Sequence, residues 1–302
     1  MQGMKLWNRL FLKLRKEQGC IFLNKKGNGF YAFLFIAPSL LGVGIFSLVP
    51  FADVLRRSFY RGMSGEFLGL ENYISVLQNE AFRLALSNTL RFVALCVPAL
   101  MVLSLLFSVM LGFCKSGADF FKTTMLIPMA LPAASVAFLW KAMFHKNGLI
   151  NSILLFMGIG ALYFMNTNMA FYILIICYIW KNIGYNMVLW TASLSNISTS
   201  LYEAASVDGA GHARQFFFIT LPGLKQDFFI IGILSLINSF KVFREVYLVG
   251  GAYPHTSIYM LQHLFNNWFA KLDMEKLCAG SVMTAFVIFT LILLLKRVLR
   301  EE

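Results

Sequence analysis

Residues 198–222 read S-T-S-L-Y-E-A-A-S-V-D-G-A-G-H-A-R-Q-F-F-F-I-T-L-P. Ser200 followed by Glu203 fits a capping box, which predicts a helix starting near Leu201. Ala204 and Ala205 favour that helix and keep its surface flat. Gly209 and Gly211 then bend the chain, because glycine accepts conformations that other residues resist. Phe216, Phe217, Phe218 and Ile219 are expected to anchor a second short helix, and Pro222 suits the first turn of the next one. The product is a small-surfaced helix–bend–helix, able to dock into a groove on a partner and pass force to its neighbours. An ordinary interfacial loop would account for its apolar residues, but would not demand Glu-Ala-Ala, the glycine and Leu-Pro at these spacings.

This stretch stands between two long apolar runs, 170–194 and 228–249, and the rest of the chain is built likewise. Of 302 residues, 59% are hydrophobic and 13% charged, with a mean hydropathy of +0.70. A soluble domain carries about a quarter charged residues, so this chain would leave wide apolar areas in water; its solvent is lipid. Runs long enough to cross a bilayer, or nearly so, fall at 30–52, 92–114, 123–140, 170–194, 228–249 and 277–295. The uncharged 149–165 is expected at the outer surface or as a re-entrant segment rather than as a seventh span. The fold class is therefore all-α: a polytopic membrane protein of six transmembrane helices, without a soluble domain.

A net charge of +12 suggests nucleic acid at first. The basic residues instead flank apolar runs. Seven, from Lys5 to Lys26, precede the first run, and Lys296, Arg297 and Arg300 follow the last. Six spans put both basic ends on one side, the cytoplasm. The expected organisation is a basic cytoplasmic segment, 1–29, and a transmembrane domain, 30–302, with 195–227 as its longest cytoplasmic loop. The first run is read as a retained helix rather than a signal peptide, since it is long and has no A-x-A site.

Catalytic chemistry has no foothold. Cys20, Cys96, Cys114, Cys177 and Cys278 are scattered, and four of them lie in or beside apolar runs, as small hydrophobes do. His145, His212, His255 and His263 are isolated from acidic and cysteine neighbours. No G-x-x-x-x-G-K-[ST] stretch is present, so the chain is expected not to hydrolyse ATP and to carry no catalytic or metal site. An autonomous carrier would want coupling-ion carboxylates within its spans, where only Glu245, near a span end, is found. Prolines Pro38, Pro98, Pro128 and Pro132 fall inside spans and predict kinks.

Polar residues within spans are costly and face a cavity or another helix. The fourth run carries Tyr178, Trp180, Lys181, Asn182, Tyr185 and Asn186, of which Tyr178, Lys181, Asn182 and Tyr185 recur three and four apart on one face. The fifth carries Ser235, Asn238, Ser239 and Lys241. Aromatic faces with amides and hydroxyls suit a sugar, so Tyr178, Trp180, Lys181, Asn182, Tyr185, Ser235, Asn238 and Ser239 are candidates for a substrate pathway; interhelical hydrogen bonding is the competing use. Lys181 could meet an anionic substrate or an acidic group of a partner. Lys241 and Glu245, one turn apart, are expected to pair with each other.

Glu203-Ala204-Ala205, Gly209 four positions on, and Ile219-x-Leu221-Pro222 resemble the EAA motif of ABC importer permeases, to which Asp208-Gly209-Ala210 is also typical. Over nearly its whole length the chain resembles the carbohydrate permeases of maltose and glycerol-phosphate type: Phe33-Leu34 through Ala37-Pro38, Gly69-Leu70-Glu71-Asn72-Tyr73, Asn88-Thr89 at the start of the second span, Gly148-Leu149-Ile150-Asn151, Trp180 with Gly184, and Phe240-x-x-Phe243 before Gly250-Gly251. It departs from them at Arg244-Glu245, where an acidic residue usually follows the second Phe directly, and at Gly250-Gly251-Ala252-Tyr253-Pro254, usually G-G-P.

The resemblance implies the type I importer (MetI-like) permease fold in the cytoplasmic membrane. It implies that Glu203, Ala204, Ala205, Asp208, Gly209, Ala210, Ile219, Leu221 and Pro222 form the docking site for a separate ATPase, which would hold ATP and Mg. A second homologous permease, an ATPase dimer and an extracytoplasmic solute-binding protein are the implied partners. The cargo it implies is a sugar or oligosaccharide, with an organophosphate, polyamine or amino acid as the alternative.

Overall fold

The computed structural model describes residues 28–62, 64–112 and 117–300, so all but the last two residues of the expected basic segment 1–29, together with Cys20 and Cys114, lie outside the described residues. Two compact units are distinguished, one ending at Arg56 and one running from Arg57. In the first, α1 (Asn28–Val43) continues through a widened π-type turn, Gly44–Leu48, into α2 (Val49–Arg57). Together they form an apolar helix, Phe33–Arg57, of membrane-spanning length. Pro38 is accommodated inside α1 without interrupting it.

The second unit is helical, with an isolated bridge between Tyr60 and Phe67 before its first helix. Its elements are α3 (Glu71–Gln78), α4 (Glu80–Gly112), α5 (Ala118–Ala130), α6 (Ala133–Phe144), α7 (Leu149–Phe156), α8 (Met169–Ser195), α9 (Thr199–Val207), α10 (His212–Gln215), α11 (Leu221–Gly223), α12 (Lys225–Ser239), α13 (Phe243–Gly250), α14 (Leu261–Ala270) and α15 (Met274–Arg300). Counting each sharply bent helix pair once, the described residues supply six candidate spans.

α8 begins and ends within a residue of the apolar run that predicts it. α4 begins at Glu80, well before Asn88-Thr89, which therefore do not start it; its 33 residues extend beyond the apolar run. The Asn79 carboxamide oxygen accepts from Phe82 N at 3.0 Å and caps it there. The helix runs unbroken through Pro98. The third run differs from a single expected helix. Pro132 has no N–H and disfavours helical geometry at the residue before it; Leu131 is accordingly extended at φ −69°, ψ 134°. The pair of helices on either side of this break is bent by 91°. Segment 149–165 is no span, because α7 has only eight residues and the chain turns at Gly158, φ +77°.

α4 and α8 meet along a buried core that includes Phe92, Cys96, Leu100, Leu174, Cys177 and Tyr178, against Val136 and Trp140 of α6 and Val246 of α13. Buried polar atoms stitch these helices: Ser108 Oγ donates to Met187 O at 2.7 Å, Trp190 Nε1 to Ser104 Oγ at 3.1 Å, and Asn186 Nδ2 to Ser235 Oγ at 2.7 Å. At Gly184, a Cβ would stand 1.9 Å from the Met125 carbonyl oxygen, so only glycine lets α8 and α5 approach this closely.

Buried asparagines tie the loops. Asn72 donates to Ser58 O and Tyr60 O at 3.0 and 3.1 Å, Asn88 to Thr256 O and Tyr259 O at 2.6 and 3.0 Å, and Asn151 to His145 O and Leu162 O at 3.1 and 2.9 Å. These bonds give the Gly69–Tyr73, Asn88-Thr89 and Gly148–Asn151 elements their physical content: each amide satisfies carbonyls of irregular backbone that water would otherwise have to serve. His263 of α14 is fully buried against Phe243, Tyr247 and Tyr259, and burial pushes its pKa down to about 4.

Candidate docking element and translocation cavity

The stretch 198–222 folds as a helix, a bend and a second helix. α9 starts at Thr199, two residues before the expected position, and Ser200 does not cap it; the Ser198 and Ser200 hydroxyls bond each other at 2.7 Å instead. Gly209, at φ +80°, makes the bend, while Gly211, at φ −71°, ψ 165°, adopts a geometry open to any residue. α10 then runs through a π-type turn, Phe216–Thr220, into α11, with Pro222 in its first turn. Leu224 breaks the chain direction, and α12 leaves at an angle of 69°.

Local polar contacts hold this shape. Tyr202 Oη and Thr220 Oγ1 lie 2.9 Å apart, and the buried Gln215 donates from Nε2 to Ser206 Oγ and Ala210 O at 2.8 and 3.1 Å. Gln215 and Tyr202 carry the bend without belonging to the sequence motif; no local pattern marks them. Leu224 and Phe216 root the element in an apolar cluster with Trp190 and Ile231. Phe217 and Phe218 do not anchor it. They are 60% and 75% exposed, since the π-type turn points them away from that cluster.

Glu203, Ala204, Asp208 and Pro222 are exposed, and Ala205, Ala210, Ile219 and Leu221 half-buried. Ala205, Asp208, Ala210, Arg214, Phe218 and Ile219 line a hollow of about 310 Å³. Val207 stands 89% exposed on the outside of the bend. The motif residues are therefore gathered on one uncovered, knob-like element.

The pathway candidates divide. Tyr178, Lys181, Asn182 and Asn238 line a cavity of about 320 Å³, together with Pro132 and Ala133 at the broken helix, Trp140, Lys241, Arg244 and Glu245. Trp180 points away and is exposed, and Tyr185 is half-buried outside this cavity. Ser235 is spent on the bond from Asn186, and the buried Ser239 donates to Leu236 O at 2.6 Å. Trp140 and Arg244 are cavity residues that helical spacing within one run does not reveal.

The ion pairing also differs from expectation. Lys181 Nζ donates to Glu245 Oε1, with both side chains largely buried. Lys241 instead donates to Asn238 Oδ1 at 2.7 Å. A 3-10 turn, Phe240–Val242, separates α12 from α13; its three-residue period pulls Lys241 and Glu245 out of the stacked register of a continuous α-helix. Lys181 approaches Glu245 from the facing helix.

Apolar passes around a polar cavity, with an exposed helix–bend–helix leading into one of the bent passes, define a membrane permease. The chain belongs to the family of binding-protein-dependent transport system inner membrane components, whose model matches residues 86–300. It is 30% identical over 266 residues to the sn-glycerol-3-phosphate transport system permease protein UgpA of Yersinia pestis bv. Antiqua, covering 86% of this chain and 90% of that one. The same protein of Salmonella typhimurium is 30% identical over 268 residues, with the same coverage. The fold matches the crystal structure of a bacterial ABC transporter involved in the import of the acidic polysaccharide alginate, with a TM-score of 0.79 at 20% identity, over 97% of this chain and 98% of that one.

Proposed function

We infer that this permease subunit carries a carbohydrate inward across the cytoplasmic membrane, driven by a separate ATPase that docks on α9–α11. The observation carrying this reading is continuity. The exposed bend at Gly209 passes through α11 into α12, and the far end of that bent helix, Asn238 through Glu245, lines the cavity. Closure of an ATPase dimer on the knob would swing α12 about Leu224 and move one wall of the cavity. ATP and Mg would belong to that ATPase. Two stacked permeases, this chain and a homologue, would enclose the path, and an extracytoplasmic binding protein would deliver the cargo.

The permease names of its relatives and the mixture of Tyr178, Asn182 and Asn238 in the cavity favour a carbohydrate or carbohydrate derivative. With α9–α11 facing the ATPase, both ends of the chain would lie in the cytoplasm, a reading that the basic residues before Phe30 and after Leu295 support. The test is reconstitution of the assembled transporter in proteoliposomes with Glu203→Ala or Gly209→Val in this chain. Loss of substrate-stimulated ATPase activity and of uptake, with the complex still assembled, is expected; normal coupling in both variants would count against the docking role.

A further inference from the structure

The charge of the cavity goes further than its shape. Three cations, Lys181, Lys241 and Arg244, line it against a single carboxylate, Glu245, and Lys181 takes that carboxylate. Lys241 has only the neutral amide of Asn238, and Arg244 has no ion pair among the described residues. Lys241 and Arg244 are both exposed, on the open side of the cavity; cations in a membrane-spanning segment face an aqueous path or an anion rather than the packed interior.

The remaining groups are also donors. Trp140 Nε1 and Tyr178 Oη, on side chains 3% and 4% exposed, have no hydrogen-bond partner although both residues line the cavity. Both atoms are sealed within the wall, so a ligand would meet them only if that wall opened. α6 begins at Ala133, on the cavity wall, where a helix of twelve residues presents unsatisfied N–H groups and the positive end of its dipole. A break of this kind in a membrane helix is tolerated where it lines a cavity.

We propose that this cavity takes an anionic carbohydrate, a sugar phosphate or a uronate, with Lys241 and Arg244 receiving the anionic group. The proposal rests on the permease reading and narrows its cargo. Lys181 is held by Glu245 and serves to position that wall. At about 320 Å³ the space admits one or two sugar rings at a time, near the lower end of ligand-pocket volumes of about 300–1,000 Å³.

The complete transporter, reconstituted with its ATPase, partner permease and binding protein, is offered three probes: sn-glycerol 3-phosphate, trigalacturonate and neutral maltotriose. An acidic probe is expected to stimulate ATPase activity and enter the vesicles, and the two acidic arms separate phosphate from carboxylate. In the assembled complex, Lys241→Gln with Arg244→Gln is expected to lower acidic-probe uptake by about tenfold or more, and Lys241→Arg with Arg244→Lys to restore most of it. Response to maltotriose alone would overturn the inference while leaving the permease reading intact. Full acidic uptake by the doubly neutral variant would also overturn it. So would failure of that variant to assemble combined with maltotriose preference in the unaltered transporter, because the two cations would then serve a subunit contact. Response to none of the probes would count against both readings.

Discussion

The proposed docking element and the cavity are built by opposite means. The bend of α9–α11 is closed by partners close in the chain: Gln215 reaches Ser206 nine residues away, and Tyr202 reaches Thr220 eighteen away. The cavity is closed by partners far apart, with Lys181 and Glu245 separated by 64 residues and Gly184 pressed on Met125 of another helix. One region keeps its shape with its surface uncovered, which suits the docking role proposed for it. The other depends on the whole helix packing. Substitutions in the cavity wall should therefore cost stability first, and substitutions in the bend should cost coupling first.

The largest stability loss is expected for Glu245→Ala. It strands a buried ammonium at Lys181, and breaking a buried pair from one side costs about 3–5 kcal/mol. Thermal unfolding of the purified transporter should show it, and the double substitution Lys181→Met with Glu245→Leu should recover most of the loss. Should Glu245→Ala leave the melting temperature unchanged, the cavity wall would not be built on this pair. Gly184→Ala comes next. A Cβ 1.9 Å from a carbonyl oxygen must push α5 and α8 apart, at a cost of about 1–3 kcal/mol read in the same assay.

Gln215→Ala should sharpen the contrast from the other side. It removes two hydrogen bonds at the bend for about 1 kcal/mol, yet uptake should fall much more than this stability change suggests, because the knob no longer holds its angle. The smallest effect is one of pH. Buried His263 is neutral in the fold and its pKa is depressed, so protons favour the unfolded chain; stability is full above the ordinary histidine value near 6.5 and is lost as pH falls toward about 4. At about pH 5.5 the loss should be about 1 kcal/mol, and His263→Gln should flatten that slope.

The same division explains what could be read from the residues alone. The ends of α8, the number of apolar passes and the bend at Gly209 are written in contiguous residues, because hydrophobic runs and glycine act locally. The prolines announced kinks, but not that Pro132 would break its helix outright while Pro98 would leave α4 continuous. Helical spacing put Tyr178, Lys181, Asn182 and Tyr185 on one face, yet the cavity keeps only the first three, since the facing helices decide which part of that face is open. Lys181 finds Glu245 rather than Lys241 doing so because a 3-10 turn intervenes, and period counting within an assumed α-helix cannot register it.

Thiol cross-linking tests the docking role of the bend most directly. In a transporter lacking Cys20 and Cys114, with Cys96, Cys177 and Cys278 buried in place, single cysteines are introduced by Val207→Cys, at the 89% exposed tip of the bend, and by Phe156→Cys, 93% exposed at the end of α7. The account predicts that Val207→Cys couples to the ATPase subunit through a short thiol-reactive linker, with a yield that changes on addition of ATP, and that Phe156→Cys does not. Coupling of Phe156→Cys with none at Val207→Cys would contradict it.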